Sequence, residues 1–307
     1  MAYSFDQEVQ KHFDELAYSQ ERWRRKNRYY YADIEALCRF LIPPKSRVLE
    51  IGCGTGDLLA ALDPEGGVGV DFSAAMVAVA SERHPHLRFV CQDAAQLDLD
   101  GPPFEYVLLA GTLGYLADIQ AVFERIRPVC DARTRVVTIF HNYLWEPILR
   151  FGELVGERTP QPAQNWLSHH DVANLFAIAG YTVVKHGRRL LLPRAVPLVS
   201  GWLNRYLARL PLLNHLCLTE YMVARLPEPP TAEPSVSVVI PARNEAGNIR
   251  AAIEQMPRLG RHTEVIFIEG HSRDNTWEVI RQVADEFGDR WDIKTLQQSG
   301  KGKGDAV

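Results

Sequence analysis

Three glycines at alternate positions, Gly52, Gly54 and Gly56, follow an apolar run at 47–51 and precede a helical pattern opening at Asp57. That order places them on a strand-to-helix turn. So sharp a turn needs backbone without Cβ atoms, and it lets a ligand approach the main chain. In open parallel sheets, ligands lie beyond the carboxyl ends of the strands, where this turn falls. Glu50 precedes the turn. Asp71 ends the next apolar run, about twenty residues on, where its carboxylate can accept hydrogen bonds from ribose hydroxyls. A dinucleotide fingerprint requires its third glycine one position later, where Asp57 stands. An acidic group near the helix start also disfavours a pyrophosphate.

The elements that must hold this turn are legible from periodicity. Apolar runs at 47–51, 67–70, 87–91, 106–110 and 135–140 read as strands, with helices at 57–62 and 74–83 between them. Such alternation predicts a parallel sheet covered on both faces. Residues 4–41 read as helical, and there Arg22, Arg24, Arg25, Lys26 and Arg28 interleave with Trp23, Tyr29, Tyr30 and Tyr31. That mix suits phosphates or RNA, but a solvated helical face with an aromatic inner side is the preferred reading. Ser168 and Asp171 form a capping box for a helix to about 179, which Gly180 stops, and 181–184 and 216–225 return to the sheet. Between 190 and 213, Leu198, Trp202, Leu203, Tyr206 and Leu210 recur at helical spacing. Such an amphipathic helix fits a membrane surface or its own domain, and packing on its own domain is expected.

S-adenosylmethionine (SAM) has no phosphate and carries a sulfonium and an ammonium group, so nearby carboxylates suit it, and the spacing favours it over NAD. Residues 50–56 resemble motif I of class I SAM-dependent methyltransferases, and the likeness runs over 28–226. The resemblance implies that Glu50, Gly52, Cys53, Gly54 and Gly56 hold the methionine part of SAM. It implies that Asp71, with Phe72, meets the ribose, and that Asp93, followed by Ala94, lies on the adenine side. Ala110 ends the fourth strand beside this site. The next residues, Gly111-Thr112-Leu113-Gly114-Tyr115, replace the family's acidic or Asn position and Leu-Glu-His triplet.

Methyl transfer is an in-line displacement governed by alignment, and an oxygen acceptor also gives up a proton, for which a histidine suits neutral pH. His141, just past the fifth strand, is the candidate base; His169, His170 and Tyr115 are weaker candidates. The Asn-Pro-Pro-Tyr tetrapeptide of enzymes that methylate nucleic-acid bases is absent after the fourth strand, which speaks against such an acceptor.

A proline-rich stretch at 227–235 reads as a semi-rigid linker. Beyond it, strand and helix patterns alternate again. Pro241-Ala242-Arg243-Asn244-Glu245 after one strand and Glu269-Gly270-His271-Ser272 after the next resemble the start of a family 2, GT-A-type glycosyltransferase. The resemblance makes Pro241, Arg243, Asn244, Glu245 and Glu269 nucleotide-sugar-binding, with Glu269 against the base. It assigns Lys303 to a Gly-Lys-Gly-x-Ala-like turn at 300–306. The family's Asp-x-Asp metal site follows a further helix and strand, so a divalent metal is implied only for a full-length transferase domain. The Asp98-Leu99-Asp100 sequence falls in the first part of the chain and reads as a loop.

The totals bound the rest. Net charge is −4, so no global positive field draws nucleic acid. Five dispersed cysteines fit a reducing compartment, and no apolar run is long enough to span a membrane. The expectation is a cytoplasmic α/β protein: a Rossmann-like seven-stranded SAM methyltransferase sheet followed by a truncated GT-A α/β unit. Its divisions are 1–44 (N-terminal helices), 45–226 (methyltransferase), 227–235 (linker) and 236–307 (partial glycosyltransferase). The expected function is methyl transfer from SAM to a small-molecule, glycan or polyprenyl/lipid-linked acceptor, with a UDP-sugar as ligand of the second unit. Contact with a membrane surface and the oligomeric state stay open. The alternatives are glycosyl transfer as the main activity of a longer fusion, and a non-catalytic SAM-binding scaffold.

Overall fold

The computed structural model describes residues 2–228 and 234–300. Part of the proline-rich stretch and most of the 300–306 turn, Lys303 included, lie outside the described residues. The chain divides into two units, 1–227 and 228–307.

The first unit opens with α1 (Ala2–Leu16), α2 (Gln20–Lys26) and α3 (Arg28–Leu41). Strands β1 (Val48–Ile51), β2 (Val68–Asp71), β3 (Arg88–Cys91), β4 (Tyr106–Ala110) and β5 (Arg135–His141) are parallel. Helices α4 (Asp57–Ala61), α5 (Ala74–Arg83) and α6 (Ile119–Arg125) connect them. After α7 (Glu146–Leu154) and α8 (His169–Ile178) come β6 (Thr182–Arg189), α9 (Val199–Arg205), α10 (Pro211–Asn214) and β7 (Thr219–Arg225). Strand β7 runs antiparallel between β5 and β6, giving a seven-stranded sheet in the order β3-β2-β1-β4-β5-β7-β6.

Alternation along the strands loads both faces. Leu49, Ile51, Val107 and Leu109 pack with Phe123 and Phe176 of α6 and α8. Val48, Leu108, Val137 and Ile139 pack with Leu37 of α3 and Leu59 of α4 on the other face. Burying each such side chain contributes about 1.5–3 kcal/mol. The Phe123 and Phe176 rings stack at 4.3 Å, and the Tyr181 hydroxyl donates to the Phe123 carbonyl. The expected capping box at Ser168 and Asp171 is present, and Gly180 stops α8 at φ +82°.

One expectation fails. The single amphipathic helix over 198–210 is replaced by α9, a 3₁₀ turn at Leu207–Arg209 and α10. Pro197 and Leu198, the latter at φ +65°, precede α9, the helix breaks at Tyr206, and Pro211 opens α10. The apolar stripe packs on its own domain only in part: Leu203 is half-buried, whereas Leu198, Trp202, Tyr206 and Leu210 are exposed, as is Leu212 beyond it.

The second unit has β8 (Ser235–Ala242), α11 (Ala246–Glu254), β9 (His262–Glu269), α12 (Thr276–Phe287) and β10 (Asp292–Gln297). Its three parallel strands are ordered β10-β9-β8. Val265 and Phe267 of β9 pack with Ile249, Ile253, Ile280 and Val283 of the two helices.

Candidate functional site

Strand β1 lies between β2 and β4, so the crevice of the sheet opens at its carboxyl end, where the glycine turn sits. The turn is fixed from below: Gly52 and Cys53 N–H donate to the Val70 carbonyl, and the Thr112 hydroxyl donates to the Ile51 carbonyl. Gly52 is left-handed at φ +71°, and a Cβ there would stand 2.5 Å from Thr112 Oγ1. Gly54, at φ +52°, donates its N–H to Asp71 Oδ2 at 2.8 Å, and Ser73 N–H donates to Asp71 Oδ1 at 3.0 Å. Asp71 is buried. Burial pushes its carboxyl up, against the Ser73 and Gly54 hydrogen bonds that pull it down.

A cavity of about 1230 Å³ opens at this point. Gly52, Gly54, Asp71 and Phe72 line it, followed by Asp93, Ala94 and Ala110. Glu50, Cys53 and Gly56 do not. Gly56 is needed for packing, since a Cβ there would stand 2.6 Å from the Phe89 ring. Glu50 is buried behind the turn, its Oε2 without a hydrogen-bond partner, and burial pushes its carboxyl up to about 8. Asp57 turns away from the cavity toward Arg24, Arg83 and His84, at 3.6, 3.8 and 3.3 Å. Its charge therefore does not face a ligand, contrary to the expectation that Asp57 repels a diphosphate. Around the turn the wall offers Asp71, Asp93, Gln10, Gln20 and Gln92 and no cation; the arginines of the lining, Arg158 and Arg194, come from other segments. A diphosphate would meet carboxylates uncompensated there, whereas a sulfonium nucleoside with ribose hydroxyls meets acceptors. The residues fit SAM.

The N-terminal helices form the outer wall. Gln10 donates to the Phe72 carbonyl, and Asp14 accepts from Ser73 Oγ at 2.5 Å. Trp23, Tyr30 and Tyr31 face the cavity, while Arg22, Arg25, Lys26 and Arg28 are exposed, as a solvated face with an aromatic inner side requires. The aromatic inner side thereby belongs to the site, a role that its sequence pattern does not announce.

At the far end stands His141, the last residue of β5, with its Nε2 2.9 Å from the Tyr30 hydroxyl. Burial, aided by Arg158, pushes the imidazole down to about 3, and burial raises the Tyr30 hydroxyl, so both are neutral near pH 7. Tyr115, whose hydroxyl burial lifts to about 12, donates to Gln161 Oε1 at 2.5 Å. Arg158 pairs with Glu153. Of the weaker candidates, Tyr115 joins this group, whereas His169 pairs with buried Glu220 at 3.1 Å and His170 contacts Asn174. Neither histidine lines the cavity.

In the second unit, β8 and β9 bring the expected residues to one sheet edge. Asn244, left-handed at φ +55°, donates its N–H to Ser272 Oγ, and its Oδ1 accepts from Arg273 N–H. Glu245 N–H donates to Thr276 Oγ1. Arg243 is exposed and Pro241 half-buried. Glu269 is buried; burial opposes its charge, but hydrogen bonds from Ser272 and His271 hold its carboxyl below the usual range.

Residues 48–132 match the methyltransferase domain family, and residues 237–307 match glycosyl transferase family 2. The demethylmenaquinone methyltransferase of Roseiflexus castenholzii is 34% identical over 119 residues, 37% of this chain and 50% of that protein. The malonyl-acyl-carrier-protein O-methyltransferase of Bacillus cytotoxicus is 30% identical over 128 residues, 38% of this chain and 44% of that protein. The chain thus spans about half the length of the curated relatives it matches. A crystal structure of a SAM-dependent methyltransferase from Thermotoga maritima superposes with a TM-score of 0.54 at 16% identity, covering 69% of this chain and 97% of that one. The first unit has the fold of that SAM-dependent methyltransferase, and residues 48–132 within it match a methyltransferase domain. The chain as a whole thus carries a methyltransferase-domain match in its first unit and a family 2 glycosyl transferase match in its second.

Proposed function

We propose that the first unit transfers a methyl group from SAM to an acceptor held at the His141 end of the cavity. One observation carries this reading: a single cavity joins the glycine turn and Asp71 to the Tyr30–His141 pair. Its volume of about 1230 Å³ exceeds the roughly 300–1,000 Å³ of common ligand sites, which leaves room for a cofactor and an acceptor together.

SAM, when bound, supplies an electrophilic methyl carbon on sulfur. The chain's own residues supply placement. The left-handed turn at Gly52 and Gly54 offers bare backbone to the methionine part, Asp71 offers its remaining lone pairs to the ribose, and Asp93 and Ala94 flank the base. Phe13, Phe72 and Tyr115 stack edge to face, with centroids 5.0–6.1 Å apart, and exclude water. At the acceptor end the neutral His141 and Tyr30 orient a hydroxyl or amine by hydrogen bonding. An oxygen becomes far more acidic as it gains the methyl group, and only then does its proton pass to so weak a base as His141. Alignment therefore dominates the rate.

The acceptor class is a small molecule, glycan or polyprenyl/lipid-linked compound. The second unit, with Glu269 at the uracil position and Asn244 and Glu245 beside it, serves a nucleotide sugar such as a UDP-sugar. The test is transfer of radiolabelled methyl from SAM to fractionated cell extract, with calorimetry for SAM. Saturable SAM binding with label entering one fraction is expected. Binding without transfer to any fraction would favour a scaffold, and absence of binding would overturn the reading.

A further inference from the structure

The cavity's acceptor end is bordered by apolar surface that the fold leaves uncovered. Leu198 is 95% exposed and Leu212 85%, and between them Trp202 and Tyr206 lie with rings 6.5 Å apart, more than half exposed. Helix α7 adds Ile148, Phe151 and Leu154, the last 85% exposed. A lone exposed leucine needs no explanation, but a contiguous group does. The two stretches touch: the Trp145 indole N–H donates to the Leu216 carbonyl at 2.8 Å, and Arg194 pairs with Glu157. Both also wall the cavity, one through Trp145 and Ile148, the other through Leu192 and Pro193. His141 pairs across the sheet with Thr219, directly after this segment.

Charge selects the occupant. From 190 to 219 the chain has Arg194, Arg205 and Arg209 and no Asp or Glu. Arg205 lies over the Tyr206 ring, and neither Arg205 nor Arg209 forms an ion pair among the described residues. Apolar side chains, interfacial Trp and Tyr and unpaired arginines on one surface match the boundary of an anionic bilayer. No helix among the described residues is long and apolar enough to cross a membrane.

We propose that this surface docks on an anionic lipid bilayer, so that the cavity takes its methyl acceptor, an amphiphile, directly from the membrane; the acceptor part rests on the methyltransferase reading above. The apolar rim enters the headgroup region and the arginines meet lipid phosphates, which sets the His141 end against the lipid. The net charge of −4 does not oppose this, because distant surface charges are screened while the local patch is not.

The test is co-sedimentation of the full chain with phosphatidylglycerol-containing vesicles and with pure phosphatidylcholine vesicles, alongside calorimetry for SAM on the same preparation. Binding to the anionic vesicles that weakens with salt is expected. Leu198→Glu with Leu212→Glu should lower it about tenfold or more, with SAM affinity and thermal midpoint unchanged. Arg205→Gln with Arg209→Gln should flatten the salt dependence. Absence of vesicle binding by a chain that binds SAM overturns the docking and leaves the methyltransferase reading standing; absence of SAM binding overturns that reading instead. A fall in thermal midpoint in the leucine variant would make the patch internal packing, and a dimer that the variant disperses would make it a self-interface. Either overturns the proposal.

Discussion

The two ends of the cavity are built in different ways. At the glycine turn, the wall comes from residues immediately after β1, β2 and β3, and backbone groups do much of the work. Gly54 N–H binding Asp71 is an example. At the other end, Tyr30 and His141 are 111 positions apart and meet only because α3 packs beneath the sheet edge where β5 ends. A site made of backbone conformation tolerates few residues at each position, so it leaves a spelling in the sequence. A site made of converging side chains leaves none.

That contrast can be broken experimentally. The largest effect is expected from Gly52→Val, where φ is positive and a Cβ would overlap Thr112. SAM affinity measured by calorimetry should fall more than about a hundredfold, given the steric and backbone cost. Asp71→Ala should weaken SAM by about 1–3 kcal/mol through lost charge-assisted hydrogen bonds and a loosened turn. An unchanged affinity would place the ribose elsewhere. At the opposite end, Tyr30→Phe should lower kcat about tenfold while SAM affinity stays within about twofold, since only orientation of His141 and of the acceptor is lost. A matching loss of SAM affinity would merge the two ends into one functional unit.

Two pH effects sharpen the same contrast. Because His141 is neutral down to about 3 in the folded chain, the rate should show no inflection near 6.5 from this residue. Its unfolded form takes up a proton below 6.5, so stability falls as pH drops from 6.5 toward about 3, and His141→Gln should reduce that slope. Glu50 works in the opposite sense. Between 4.5 and about 8 the folded chain keeps a proton that the unfolded chain has lost, so this residue makes stability fall as pH rises through that window. Glu50→Gln should therefore gain on the wild type from pH 4.5 to 8 in thermal unfolding. Parallel curves would show that Glu50 is ionised in the fold.

Much of the scaffold was readable beforehand because it follows local rules. The ends of α5 and β4 and the capping box of α8 follow from periodicity, caps and breakers. The 190–213 segment shows where that fails. Its helical spacing is present, but the helix breaks at Tyr206 before Pro211 opens α10, and exposure of the stripe depends on what else in the fold could cover it. Asp57 fails in the same manner: its acidity was evident, but its direction was settled by Arg24 and Arg83, from helices far apart in sequence.

By itself the sequence determined the order of strands and helices, the left-handed glycine turn and the carboxylates after β2 and β3, because each depends on neighbouring residues and the hydrogen-bonding needs of one backbone segment. Only the tertiary structure decided that α1–α3 close the cavity, that His141 stands half-buried beside Tyr30, and that exposed apolar residues and arginines lie on segments that also line the cavity. Burial and convergence are properties of packing between distant segments, and desolvation, which sets the charge states of His141 and Glu50, exists only once that packing has formed.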